Sequence, residues 1–493
     1  MSKYDYDMIV IGGGAAGLTG SGIAANLGAK TMMVEKERLG GDCTWTGCIP
    51  SKALLKSARL VRQLKEGSRY GLKDQEVSFD FPEIMDHVRK TIQEVYEDAD
   101  RPEIFEEMGI TVTHGKAKFK DPHTILIEKK DGITETYSSR YFLIATGARA
   151  FIPPIPGLND TNYLTSHSLF EIKEQPDHLL IIGGGPIGTE MAQSFRSLGS
   201  EVTVVDAGSG ILHKEDPEMV NILQDRLIRQ GVKYHFNAEV HEVTEREGEL
   251  TVHFDCGDTE FEIKGDALLV ATGRTANTAS LELENTGVIY TAKGVHVDDS
   301  CRTNVSHIFA SGDVTGEYQF THMSEHMSKV AVTRALIKIP MKIDRDHVPR
   351  VTFTDPELAQ IGASEEELKK KGISHEVYRF PYSKIDRALA ENDTEGMIKV
   401  MAKKLSGNIL GATAVGPHAG EIISEYALAM KNGVSMRSLA DTIHPYPSWG
   451  LGARRAADQW YIRNQSEWSV KWIKRIFGYR GDVPDFSDPN RIV

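Results

Sequence analysis

The chain has 493 residues, 40% hydrophobic and 26% charged, with 45 glycines and a formal net charge of −13. That length exceeds what one core serves and predicts roughly three domains. The acidic balance lacks the basic footprint of a nucleic-acid binder, and no apolar run approaches the ~20 residues of a membrane-spanning helix. There are four cysteines, Cys43, Cys48, Cys256 and Cys301. So sparse a set favours a reducing compartment. No charged-then-apolar leader precedes the first strand, and the expected location is cytoplasmic.

Residues 5–35 predict a β-α-β unit. An apolar strand, Met8–Ile11, runs into Gly12-Gly13-Gly14-Ala15-Ala16-Gly17, then a small-residue helix, then a strand, Thr31–Val34, ending at Glu35. Gly12 permits the tight turn, Gly14 lets backbone approach a pyrophosphate, and Gly17 lets helix and strand pack closely. Glu35 stands where a carboxylate accepts from an adenosine ribose.

Next comes Gly40-Gly41-Asp42-Cys43-Thr44-Trp45-Thr46-Gly47-Cys48-Ile49-Pro50-Ser51-Lys52. Its second cysteine opens a helix whose apolar stripe includes Leu54, Ala58 and Val61. A thiol at a helix N-terminus has its thiolate stabilised by the dipole. The pair reads as a redox-active disulfide. A structural disulfide or two buried thiols fit the same spacing.

A charge-rich helical stretch from Phe81 to Met108 and short strands at Thr111–Thr113, Ala117–Phe119 and Thr124–Glu128 follow. The strand Tyr141–Ile144 then closes on Ala145-Thr146-Gly147, the kind of strand end where ligands lie in open α/β sheets. Beyond a proline-rich linker at 153–157 the nucleotide pattern recurs, with strand Leu179–Ile182, Gly183-Gly184-Gly185-Pro186-Ile187-Gly188, a helix, strand Val202–Val205 and Asp206. The interval from first glycine to terminal acid is the same in both copies. The second copy also ends on a strand and turn, Ala271-Thr272-Gly273. Two copies predict two adenine dinucleotides in one chain. After Ile308–Asp313 and a helix near Thr321, the texture from about Asp346 is α+β and carries no third fingerprint, which suits oligomerisation.

In this order the motifs resemble the class I pyridine nucleotide–disulfide oxidoreductases, in particular the mercuric-reductase branch, over nearly the whole chain to about residue 460. The resemblance implies an α/β fold with two Rossmann-like domains, for FAD and NAD(P), and an α+β dimerisation domain. The expected boundaries are 1–150 and 274–345 for the two parts of the FAD domain, 151–273 for the NAD(P) domain, 346–465 for the dimerisation domain and 466–493 for a tail. By resemblance FAD is held at Gly12, Gly14, Gly17, Glu35, Lys52, Ala145, Thr146, Gly147 and Asp313, and the nicotinamide nucleotide at Gly183, Gly185, Gly188, Asp206 and Gly273. Cys43 is then the interchange thiol, Cys48 the thiol against the flavin, and Lys52 and Glu190 an ion pair beside it. The start of the helix at Thr321–Met323 faces the charge of reduced flavin. Asp206 would repel a 2′-phosphate, and no arginine follows before Arg226, with only Lys214 as a stray candidate. NADH is therefore favoured over NADPH.

One stretch departs from the family. Where disulfide reductases read His-x-His-Pro-x-x-x-Glu, contributed by the partner subunit, this chain has His444-Pro445-Tyr446-Pro447 and Leu451. Aligned by the proline, Tyr446 takes the catalytic histidine's place and Leu451 the glutamate's. Mercuric reductases also carry tyrosine there, and the segments Asp386-Arg387-Ala388 and Gly416–Glu421 look like that branch. A phenol is a poor base near neutrality but a usable metal partner. An alternative alignment makes His444 the base, left unoriented by Leu451. No cysteine follows Cys301, so the vicinal pair that delivers mercury is missing.

The expected activity is a homodimeric FAD enzyme passing electrons from NAD(P)H through the Cys43–Cys48 disulfide to a thiol-reactive acceptor. That acceptor is a soft metal ion such as Hg²⁺, a small disulfide or a quinone-like oxidant. Dihydrolipoamide dehydrogenase and a redox-sensing or metal-sequestering flavoprotein are the alternatives. His322 and His326, one helical turn apart, read as packing rather than a metal pair. Cys256 and Cys301 read as small buried residues. In the Trp-rich tail, Trp468, Trp472, Ile473, Ile476 and Phe477 form an apolar helical face flanked by Lys471, Lys474, Arg475 and Arg480. That face is expected to dock on the protein or its dimer mate, with a membrane surface as the alternative.

Overall fold

The computed structural model describes residues 3–73 and 77–486. The chain's last residues, Asn490–Val493, lie outside them. Two compact units form: one from residues up to Leu60 with Val77–Ala207 and Tyr234–Asp344, the other from Val61–Glu76, Gly208–Lys233 and the chain from Arg345 on.

The larger unit contains two sheets with parallel cores. In the first, Tyr6–Ile11 lies between Thr31–Glu35 and the long strand Thr134–Ile144, parallel to both. Thr111–His114 extends the sheet beyond Thr31–Glu35, and Ile308–Ala310 pairs with the far side of Thr134–Ile144. These strands are apolar runs because both faces are covered. Ile9, Ile11, Phe142, Ile144 and Ile308 fill one core with Phe119. The start of Thr134–Ile144 turns away to pair antiparallel with Thr124–Glu128.

The second sheet repeats the plan. His178–Ile182 pairs parallel with Glu201–Val205 on one side and Ala267–Val270 on the other. Against it packs an antiparallel meander, Ala238–Arg246, Glu249–Cys256 and Thr259–Gly265, which bonds Val243, Val252 and Phe254 to a core with Leu180 and Leu268. The sequence pattern does not mark this meander. Its solvent face is polar and its apolar positions alternate, so the signal is weaker than a continuous buried run.

The second unit is built on a five-stranded antiparallel sheet in the order Arg350–Thr352, Glu357–Gly362, Ile409–Gly416, Met397–Ala402, Glu376–Pro381. The helices Ala419–Lys431 and Leu451–Asn464 supply Ile422, Ile423, Tyr426, Ala453 and Ala456 to the core of this unit. Lys399 lies in the middle of a buried strand and is itself 3% exposed. Asp216, Glu218 and Glu365 surround its ammonium group, each at 2.8 Å.

The tail helix, Glu467–Phe477, has no buried residue. The expectation that it docks on its own protein is not met: Trp468, Trp472, Ile476 and Phe477 are all exposed. Among the described residues no helix is long and apolar enough to cross a membrane.

Candidate active site

The first glycine turn is shaped by close backbone approach. Gly12 has φ +110°, and a Cβ there would lie 2.3 Å from the Ala145 carbonyl oxygen. A Cβ on Gly17 would lie 1.8 Å from the Gly12 carbonyl oxygen. The helix Ala15–Asn26 starts at Gly14 with no side-chain cap and no acid in its first turn. Its leading N–H groups and positive dipole end therefore face outward, ready for an anion. Glu35 is fixed by accepting from the Gly13 N–H at 2.7 Å.

The second turn repeats this geometry. Gly183 has φ +111°, and its Cβ would meet the Ala271 carbonyl oxygen at 2.5 Å. A Cβ on Gly188 would lie 2.0 Å from the Gly183 carbonyl oxygen. The helix Pro186–Leu198 likewise starts uncapped, at Gly185, with no acid in its first turn. Asp206 accepts from the Gly184 N–H at 2.5 Å, matching Glu35 in the first copy.

The cysteine stretch packs straight onto the first turn. Gly40 donates to the Gly13 carbonyl at 2.9 Å, and a Cβ on Gly41 would fall 2.7 Å from the Gly14 Cα. Cys43 sits in a short helix, Gly41–Trp45, and Cys48 begins the long helix Cys48–Lys65. Both side chains are partly buried. Cys43 donates a hydrogen bond to Cys48 and holds the Cys48 thiol down to about 6, against the effect of burial. Thr321, whose Oγ1 lies 3.4 Å from Cys48 Sγ, and Lys52 act in the same direction. Cys43, as the donor, is pushed up by that hydrogen bond and by burial. The contact therefore favours ionisation of Cys48 over Cys43.

Lys52 donates to both carboxylate oxygens of the buried Glu190, at 3.0 and 3.3 Å. Thr146 Oγ1 donates to the Asn277 carbonyl at 2.7 Å, fixing the Ala145–Gly147 turn. The helix Thr321–Leu336 also starts without a side-chain cap or first-turn acid. Ser328 donates to the Ala16 carbonyl at 2.7 Å and so locks this helix to Ala15–Asn26.

Two residues of the site escaped the sequence reading. Arg274, directly after Gly273, pairs with Asp42 and stands 3.3 Å from Asp313, tying the cysteine stretch to the Gly312–Thr315 turn. Burial pushes the Asp313 carboxyl up. Arg274's position next to a motif glycine was the available signal. Asp100 accepts from Thr44, between the two cysteines, at 2.6 Å, and burial raises its carboxyl. No sequence pattern marks it.

Other candidates resolve into packing. His322 stacks on Phe320 with ring centroids 5.3 Å apart, and His326 accepts from the Asp344 N–H. Cys301 is buried, but Cys256 is only half-buried, contrary to expectation. In the second unit, Tyr446 is 71% exposed and Leu451 is buried at the start of its helix. The expectation that His444 lacks an orienting group is corrected. Its Nε2 lies 2.7 Å from Glu425 Oε1 and its Nδ1 3.0 Å from the Thr442 carbonyl. Leu451 indeed offers no carboxylate, but the helix Ala419–Lys431 does.

Residues 6–328 match the profile described as pyridine nucleotide-disulphide oxidoreductase, and 348–454 match that family's dimerisation domain. The chain belongs to the pyridine nucleotide-disulphide oxidoreductase family. A dihydrolipoyl dehydrogenase from Geobacillus stearothermophilus is 34% identical over 92% of this chain and 95% of its own length. A mercuric reductase from Staphylococcus aureus is 33% identical over 92% and 82%. Among solved structures, the HOCl-induced flavoprotein disulfide reductase RclA from Escherichia coli superposes with a TM-score of 0.82 at 30% identity, covering 93% of this chain and all of that one. The oxidoreductase is an FAD-dependent enzyme, and its dimerisation domain makes it a homodimer. Members of the family bind FAD and a pyridine nucleotide. The residues fit such groups: two glycine turns, whose first and third glycines leave no room for a Cβ, lead into two helix starts left without caps.

Proposed function

We propose that the oxidoreductase uses NADH to reduce a thiol-reactive acceptor, foremost a soft or redox-active metal ion, at Cys43. The observation that carries this reading is the placement of the Cys43–Cys48 pair: Gly40 and Gly41 hold it against the first glycine turn, with Thr321 and the Lys52–Glu190 ion pair beside Cys48. Bound FAD supplies the two-electron chemistry linking nicotinamide to the cysteines. The chain's own residues position the partners. Gly12, Gly14 and Gly17 admit one dinucleotide, with Glu35 on its ribose, and Lys52, the Ala145–Gly147 turn and Asp313 complete that site. Gly183, Gly185, Gly188 and Gly273 admit the other. Asp206, at the ribose position, would repel a 2′-phosphate, which supports NADH. The buried Glu190 holds the Lys52 ammonium beside the Cys48 thiolate.

Per cycle, NADH loses two electrons and becomes NAD⁺. The dithiol's two electrons take one mercuric ion to the metal or two cupric ions to the cuprous state, and the cysteines return to the disulfide. Metal acceptors are supported by the named mercuric reductases and by RclA, also solved as a Cu(II) complex. Tyr446 in place of a histidine supports them as well. The sparse set of four cysteines suits a reducing, cytoplasmic setting. One observation favours a second reading as a dihydrolipoamide dehydrogenase: a histidine–carboxylate pair, His444 and Glu425, stands in the dimerisation unit.

The test is an acceptor panel on the FAD-loaded dimer: mercuric and cupric ions, lipoamide, oxidised glutathione, an aromatic disulfide and quinones, each with NADH and NADPH. Metal-dependent NADH turnover that Cys43→Ser abolishes is the expected result. Faster turnover of lipoamide, lost in His444→Gln, would reverse the order of the two readings.

A further inference from the structure

We propose that the helix Glu467–Phe477 lies flat on an anionic phospholipid surface and tethers the dimer there. The helix is specified by its own residues. Ser466 and Ser469 form a reciprocal capping box at its start, Gly478 closes it in the left-handed conformation, and Lys471 pairs with Glu467 one turn back. It buries none of its side chains in the protein. An isolated helix of this length is marginal in water, so its apolar face calls for a cover.

Three observations select the cover. The first is segregation. At 3.6 residues per turn, Trp468, Trp472, Ile476, Ile473, Phe477 and Val470 occupy an arc of roughly 200°, interrupted by the capping Ser469, while Lys474, Glu467, Lys471 and Arg475 occupy the remainder. A wide apolar face bordered by basic side chains is the pattern of an interfacial helix, whose lysine and arginine stems let the charges reach headgroups. The second is composition. Trp468 and Trp472 lie adjacent, and Tyr479 stacks on Phe477 just past the cap. Tryptophan and tyrosine suit the bilayer interface, where one end is apolar and the other wet. The third is position and charge. The match to the family's dimerisation domain ends at residue 454, before this helix. The helix lies outside the domain matched for pairing, which disfavours a second copy as its cover. On a chain of net charge −13, three of the helix's four charged residues are basic, and Arg480 follows, with the acidic Asp482 and Asp485 only beyond the cap.

The test uses the full-length FAD-loaded dimer and vesicles of phosphatidylcholine with or without phosphatidylglycerol. The expected result is co-sedimentation with the anionic vesicles, on the order of tenfold above neutral ones, weakening at high salt. Trp468→Ser/Trp472→Ser/Ile476→Ser should remain in the supernatant with NADH oxidation and dimer mass unchanged. Lys471→Gln/Lys474→Gln/Arg475→Gln should lose the preference for anionic lipid. Equal recovery of the unmodified protein in the supernatant with and without vesicles overturns the proposal. So does a shift to monomer in the triple serine variant, which would identify the second copy as the cover.

Discussion

Cys43 and Cys48 are the same residue type five positions apart, and their surroundings separate them. Cys48 accepts from Cys43, faces Thr321 and lies within the field of Lys52; Cys43 has burial and the Asp100 carboxylate against its ionisation. In the reduced protein, thiolate absorbance should therefore titrate near pH 6 and vanish in Cys48→Ser. Cys43→Ala should move that titration up by about 1 to 2 pH units, because a hydrogen bond to a charged acceptor is worth about 1.5–3 kcal/mol and each 1.36 kcal/mol is one pH unit. An unchanged midpoint in Cys43→Ala would show that the helix start and Lys52 set the value instead. Trp45, between the two cysteines, packs: its indole N–H donates to the Leu39 carbonyl and its ring lies under Arg38 and against Tyr96.

At the scale of elements, the two β-α-β units share one construction and differ in what is packed beside them. The first receives the cysteine stretch through Gly40 and Gly41, and the second receives the meander Ala238–Gly265 on its sheet. Their third glycines allow a paired test. A Cβ at Gly17 or Gly188 meets a backbone carbonyl at about half of normal contact distance, so the helix start must shift. Gly17→Ala should yield protein that does not retain flavin after gel filtration. Gly188→Ala should keep its flavin yet lose NADH-dependent turnover, on the order of a hundredfold in kcat/KM, equivalent to about 2.7 kcal/mol. Flavin loss in Gly188→Ala, or full flavin in Gly17→Ala, would contradict the assignment of the turns.

At the scale of the whole molecule, the second unit is stapled by charge. Lys399 reaches three carboxylates, and Arg379 adds a two-pronged contact to Glu218. Glu218 is held down to about 2, chiefly by Arg379 and further by Lys399. Burial pushes Glu365 up, but Lys369 and Lys399 outweigh it and hold it at about 2 as well. Both values are depressed in the folded state. Their stabilising contribution is thus fully present above the unfolded value of about 4.3 and is lost as pH falls from there through about 2. Acid denaturation monitored by circular dichroism should show the loss in that window. Lys399→Met removes the shared cation and should destabilise the protein by about 3–5 kcal/mol at neutral pH, since it takes the cation from the buried Asp216 carboxylate, whereas Glu218 and Glu365 keep Arg379 and Lys369. Its acid transition should also be shallower. A change below about 1 kcal/mol would mean that the network is solvated enough to do without Lys399.

Much of this protein is determined locally and is therefore legible in its sequence. Both glycine turns, their terminal acids, the helix starting at Cys48, and the turns at Ala145–Gly147 and Gly312–Thr315 depend on residue type at fixed spacing. At Gly17 and Gly188 the exclusion is local as well, since a Cβ there would meet the carbonyl of the glycine five residues earlier. The capped tail helix belongs to the same class, but its fate does not: only the tertiary structure shows its apolar face left uncovered. Tertiary structure alone also decided the contacts between residues far apart in sequence. Asp100 comes to Thr44, Arg274 to Asp42, Asp216 to Lys399 and Glu425 to His444. None of these pairs has a fixed spacing, because each partner is delivered by a different strand or helix. The physical reason is that periodicity and turn chemistry act over a few residues, whereas a charge in the interior is matched by whatever the fold brings beside it.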